Sequence, residues 1–283
     1  MAEAIFDEAV AQLLLRYARM VAARGYVHNT LGNIAVRVRH PDFEHGVVYT
    51  KHAEVSLEEM TVDNVVVTDI PTGRLLHGTV MTSVGHQLNR EILRLRPDVN
   101  AIIHVHHDQT IAFFAAGGVK ELRLLSIEFP CVMGKPPHLV PSHVNVELDV
   151  APIKSFIANT NALLMESHGV TVLGRTISEA YHRLNTLASE MRRLIEAEHL
   201  AALRSTEVRY VDAADVDWMY DNADRIVYPS KMGGLEGPPK PPLSLGSAPA
   251  EPGHSIDLHG GPDMAPRPPT LGSVPAQPGR SSI

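Results

Sequence analysis

Asn100-Ala101-Ile102-Ile103-His104-Val105-His106 is the stretch on which the reading of this chain turns. Arg96-Pro97-Asp98 precedes it, and a proline there ends whatever helix comes before. Four apolar residues then carry two histidines spaced by one. Neighbours two apart on a strand project from the same face, so both imidazoles can reach one cation without bending the backbone. Two histidines are half of a metal site, or a hydrogen-bonded pair at a strand end. A third ligand would decide between these, and His168 is the candidate. It stands in a turn, Ser167-His168-Gly169, between the apolar runs Ala162-Leu-Leu-Met-Glu166 and Val170-Thr-Val-Leu173. A turn at a strand end presents its side chains to a cleft, and glycine lets the backbone come close.

Working outward, helices and strands alternate. Ile5, Val10, Leu13, Leu14, Tyr17 and Val21 recur at helical spacing, with Gly25 as the stop. Asn33–Arg39, Gly46–Thr50 and Val65–Thr68 read as consecutive antiparallel strands, the last closed by Pro71-Thr72-Gly73. A helix is predicted from about Ser83 to Leu95, another over Val150 to Asn159, and a long one from an N-cap at Ser178 to about Leu203. Phe113, Phe114, Leu124, Leu125 and Phe129 read either as core or as the lining of an apolar pocket.

Composition narrows the function. The 283 residues are 44% apolar and 20% charged, without an apolar run of membrane-spanning length, so no membrane partner is expected. The start has no basic segment before an apolar one, and Cys131 is the single cysteine, so a cytoplasmic setting is expected. A net charge of −7 without long runs of either sign argues against nucleic acid and for a small-molecule partner. Sixteen histidines outnumber the seven tyrosines and six phenylalanines together, a bias towards metal binding. From Pro238 onward twelve of the twenty-one prolines fall among Gly, Ser and Ala. Residues 1–235 are therefore read as one metal-binding catalytic domain and residues 236–283 as a disordered tail.

Three blocks in this order carry a resemblance: Leu31-Gly32-Asn33-Ile-Ala-Val-Arg-Val, then Arg96-Pro97-Asp98 through His106, then Met165-Glu-Ser-His168-Gly169-Val-Thr-Val-Leu-Gly174 before a long helix. Together they resemble the class II aldolase and adducin family over about residues 5 to 205. The resemblance implies a three-layer α/β/α fold with a central, mostly antiparallel sheet. It implies a homotetramer with active sites at subunit interfaces, and a divalent metal on His104, His106 and His168.

The chain also departs from the family pattern. Family aldolases carry a Pro-Ser-Ser-Glu segment twelve residues before the proline of Arg-Pro-Asp, and its Glu moves a proton. Here that position is Gly85, in Thr82-Ser83-Val84-Gly85, and no acid lies nearer in sequence than Glu91. His86, next door, is the expected substitute as base or fourth ligand. The phosphate-binding turns correspond to Leu31-Gly32-Asn33, His52-Ala53 and Ser83-Val84, with hydroxyl donors replaced, so a phosphorylated sugar is not expected. Asn33, Lys51, His52 and Ser83 remain as substrate-binding candidates, with Lys51 and His52 suited to a carboxylate.

Three neutral imidazoles with the carboxylate vacated suit mononuclear Fe(II) with dioxygen as co-substrate. Within the family the chain is similar to the non-haem iron oxygenases of aminocoumarin antibiotic biosynthesis, such as those for novobiocin and clorobiocin. That similarity implies oxidative decarboxylation of a prenylated 4-hydroxyphenylpyruvate, an aromatic 2-oxo acid, through the mandelate to a 4-hydroxybenzoate. The alternative is an aldolase or decarboxylase using Zn(II) or another divalent metal on a non-phosphorylated 2-oxo acid or aromatic carboxylate. A binding protein on the adducin pattern would not need to keep the three histidines.

Overall fold

The computed structural model describes residues 5–79, 82, 85–117, 119 and 121–227. The Pro-rich segment 236–283 and Ser83 lie outside these. Helix α1, Glu8–Ala23, is capped by the Asp7 carboxylate, which accepts from the Ala9 N–H at 2.8 Å. Its buried stripe, Ala11, Leu14, Leu15, Ala18 and Val21, follows helical spacing. Strands β1 (Asn33–His40), β2 (Phe43–Lys51), β3 (Val65–Asp69) and β4 (Leu75–His77) form an antiparallel run. Helix α2, His86–Leu95, leads into β5, Ala101–Val105. Then come α3 (Asp108–Ala115), α4 (Glu128–Met133), β6 (His138–Val140), β7 (Ala162–Met165), β8 (Gly169–Gly174), α5 (Ile177–Arg204) and α6 (Ala213–Val227).

The eight strands make one sheet in the order β4-β3-β2-β1-β5-β8-β7-β6, antiparallel except for the β6–β7 pair. Strand parity sorts the side chains into two cores. Ala101, Ile103 and Val105 of β5 pack with Val47 and Tyr49 of β2 and with the stripes of α1 and α5. Ile102 of the same strand packs on the opposite face with Ala35, Val48 and residues Leu88, Ile92 and Leu93 of α2. A sheet with apolar surfaces on both faces needs helices on both, which is the α/β/α layering expected from the sequence. Phe113, Phe114, Leu124 and Phe129 are buried in the first core, with Leu125 packed against it, so these residues are core.

Two local expectations are corrected. Val150 to Asn159 is not an α-helix but two 3-10 turns, Ala151–Ser155 and Ile157–Asn159, separated where Phe156 leaves helical geometry at φ −129°. Ile153 and Ile157 still reach the α2-side core, so burial survives the change of helix type. The N-cap of α5 is Thr176, not Ser178, because the Thr176 hydroxyl accepts from the Glu179 N–H at 3.1 Å. Among the described residues no helix is long and apolar enough to cross a membrane.

Candidate metal centre

His104 shares the strand face of Ile102, and its register partners are Asn33 on β1 and Thr171 on β8. All three therefore stand on the α2 side of the sheet. The Thr171 hydroxyl meets His104 Nδ1 at 3.0 Å, which fixes the ring and leaves Nε2 buried without a hydrogen-bond partner. A buried polar atom is rarely left this way, and an imidazole held at one nitrogen and open at the other is the arrangement of a metal ligand. Burial pulls the His104 pKa down to about 4, so the ring is neutral at pH 7, the form that can donate to a cation.

His106 lies just past the end of β5 on the same parity. His168 comes from the turn before β8, where Ser167 adopts φ 60°. A Cβ on Gly169 would stand 2.3 Å from the Val105 carbonyl oxygen and 2.9 Å from His106 Cα. Only glycine lets this turn close on the strand end. The three rings are 4.8 to 5.2 Å apart between centroids, and one ligand atom from each lies within 4.8 Å of the others. Burial, then the neighbouring His168, lower the pKa of His106. His107 belongs to another environment: the opposite parity sends it to the Thr110 hydroxyl at 2.9 Å.

A carboxylate that sequence reasoning missed stands against two members of the cluster. Glu147, in the segment after β6, places Oε2 3.0 Å from His168 Nε2 and Oε1 3.7 Å from His104 Nε2. Burial pushes its carboxyl up, but the hydrogen bond from His168 and the fields of the three imidazoles outweigh that and hold it below the usual value. No spacing signal points to it, since it stands in a loop far in sequence from His104, His106 and His168. The expectation that no acid could take over from position 85 is corrected: the nearest in sequence, Glu91, binds Arg94, whereas Glu147 arrives through space.

The other expected residues separate. Asn33 is buried beside His104, its Oδ1 accepting from Asn89 Nδ2 at 2.6 Å. Lys51 has the parity of Val47 and Tyr49, so it points to the α1 side, away from the histidines. It is fully buried, and its ammonium donates to the carbonyls of Thr30 and Val55, each at 2.8 Å, and more weakly to that of His52. With its three donors engaged it has none for a substrate, and the binding role expected for it is withdrawn. His52 is held by Asn64 at 2.7 Å and by the Glu54 N–H at 3.3 Å, which leaves neither ring nitrogen for a carboxylate.

His86 opens α2, buried, with Nε2 2.8 Å from the Thr68 hydroxyl of β3. It is not part of the histidine group, so the ligand role expected for it is not met, while its Nδ1 is buried without a hydrogen-bond partner. Burial, with Arg90 nearby, lowers its pKa from 6.5 to about 3. Between those values the unfolded chain binds a proton that the folded chain does not, so this stability is complete above pH 6.5 and is lost on acidification. Metal-free protein is expected to lose about 1.4 kcal/mol per pH unit from this group below that point. Urea midpoints between pH 7 and 4 check it: His86→Gln should flatten the slope by one proton, and an unchanged slope refutes the assignment.

Comparison with known proteins agrees with this geometry. The sequence profile described as the Class II Aldolase and Adducin N-terminal domain matches residues 12–195. The chain belongs to the class II aldolase and adducin family. An L-fuculose phosphate aldolase from Methanococcus maripaludis is 23% identical over 180 residues, covering 61% of this chain and 89% of that protein. A methylthioribulose-1-phosphate dehydratase from Enterobacter sp. strain 638 is 26% identical over 186 residues, covering 62% and 88%. The solved structure of Escherichia coli YgbL superposes with TM-score 0.63 at 20% identity over 75% of this chain and 98% of its own. An L-fuculose 1-phosphate aldolase gives 0.64 at 17% identity over 76% and 96%. As a family member the chain keeps the three histidines on one sheet face and lacks a side chain at position 85.

Proposed function

We propose that this protein is a divalent-metal-dependent lyase, an aldolase or decarboxylase, cleaving a carbon–carbon bond next to the carbonyl or carboxylate of a small, non-phosphorylated 2-oxo acid or aromatic carboxylate. One observation carries the proposal: three imidazoles converge on a point where His104 Nε2 is buried and unpartnered. His104, His106 and His168 would hold the cation. A bound divalent cation supplies Lewis-acid stabilisation of the negative charge that develops on a substrate oxygen as the adjacent bond breaks. Thr171 holds the His104 ring in place, and the ionised Glu147 carboxylate holds His168 through Oε2.

Relatives whose names specify sugar-phosphate chemistry support a lyase or dehydratase class over an oxidative one. Iron and dioxygen were expected from a vacated carboxylate position, and with Glu147 beside His104 and His168 that vacancy no longer distinguishes an oxygenase from a lyase. A phosphate would need spare donors, whereas both nitrogens of His52 and the ammonium of Lys51 are engaged within the protein. The homotetramer expected from the resemblance is retained in this proposal.

The test is anaerobic purification and metal analysis, followed by assay of 2-oxo acids and hydroxylated aromatic carboxylates with zinc and, separately, with iron(II). The expected result is a bound divalent ion and release of carbon dioxide or an aldehyde under argon. Oxygen consumption matched to carbon dioxide release, seen only with iron(II), would overturn the lyase reading.

A further inference from the structure

We infer that Glu147 is a fourth protein donor of the metal seat, admitted there because position 85 is glycine. This deepens the proposed function and rests on reading the three histidines as a metal site. A Cβ built on Gly85 would stand 2.1 Å from Glu147 Oε1 and 2.6 Å from Asn33 Nδ2. The carboxylate thus occupies the volume that any side chain at position 85 would need. A side chain at position 85 would therefore have to displace the Glu147 carboxylate from where it stands.

The carboxylate is also built in. Val146 is fully buried in the α2-side core, which anchors the segment from one side. The Asn145 side-chain oxygen accepts from the N–H groups of Glu147 at 3.1 Å and Leu148 at 3.3 Å, a turn that holds the Glu147 backbone. The Glu147 oxygens span the Nε2 atoms of two different histidines, at 3.0 and 3.7 Å. Donors about 2.1 Å from a tetrahedral zinc stand about 3.4 Å from one another, and these two separations bracket that value. A carboxylate that served only to orient a histidine would bond one ring through the nitrogen facing away from the metal. Glu147 instead sits among the nitrogens that face the seat.

Cobalt(II) alone is the probe, because its d–d absorption reports the number and type of donors and its affinity can be read against a chelator. Wild-type protein is expected to bind one equivalent, and Glu147→Gln, nearly isosteric, to bind about 10²- to 10³-fold more weakly with an altered spectrum, the loss of one ligand. Gly85→Glu should lower the melting temperature, because the new side chain meets Glu147. Gly85→Glu combined with Glu147→Ala should melt higher than Gly85→Glu alone and recover cobalt affinity over Glu147→Ala. Wild-type affinity and spectrum in Glu147→Gln would overturn the inference while leaving the histidine site standing. No recovery in a folded double variant would overturn it as well. Should the double variant not fold, Glu147→Gln decides alone. Failure of wild-type protein to bind cobalt or zinc would overturn the metal reading, and this inference with it.

Discussion

A His168→Ala variant is expected to fold and to lose its divalent metal. His168 is the right ligand to remove first, because its side chain is 23% exposed in a turn and carries little packing. His104, by contrast, is buried and holds Thr171, so its removal adds a cavity and an unsatisfied hydroxyl to the loss of a ligand. Four-ligand zinc sites bind with about 10–16 kcal/mol, so one ligand is worth about 3–4 kcal/mol, a factor of about 10²–10³ in affinity. Chelator competition measures this directly. A second readout is thermal: at one fixed zinc concentration the melting temperature of wild-type protein should rise by clearly more than that of His168→Ala, since a ligand that binds the folded state stabilises it in proportion to the logarithm of its affinity. Equal zinc affinity in the two proteins would remove His168 from the site.

Gly169→Ala is expected to cost about 3–5 kcal/mol. Gly169 sits at φ 144°, a conformation essentially reserved for glycine, and the added methyl would meet the Val105 carbonyl at 2.3 Å. The strain is worth about 1–3 kcal/mol and the overpacking a similar amount. Both obstacles are backbone, so no rotamer change relieves them. In a domain of this size the melting temperature should fall by about 10–15 °C. Because the clash forces the turn away from His106, metal affinity should fall in the same variant. Gly25→Ala is the control: it has positive φ but nothing within 4 Å of the added Cβ, and should cost only about 1 kcal/mol. Equal losses in the two variants would mean that the close approach at Gly169 is not what holds the turn.

The clustering of the three histidines was legible in the chain, in part from local rules and in part from the family resemblance. His104 and His106 are two apart on a strand, and strand parity alone puts them on one face. His168 followed from a turn whose glycine permits close approach, and the structure supplies the reason in the contact of Gly169 with Val105 and His106. The strands and helices named from periodicity kept their type, except where a proline-containing run settled into 3-10 turns around Ile153 and Ile157, whereas β4, β6, α3, α4 and α6 were not legible that way.

What the tertiary structure decided were the contacts that cross between elements. Lys51 reads as a basic residue at a strand end, yet the pairing of β2 turns it to the far face, where carbonyls from two loops capture its ammonium. His86 reads as a neighbour of the vacant position 85, but the first turn of α2 aims it at Thr68 of β3. Glu147 shows the limit most directly. Its sequence distance from position 85 conceals that both meet at one point beside His104. Periodicity specifies which way a side chain faces within its own element, whereas which loop delivers a charge to a shared volume depends on how separate elements pack, and no local pattern encodes that.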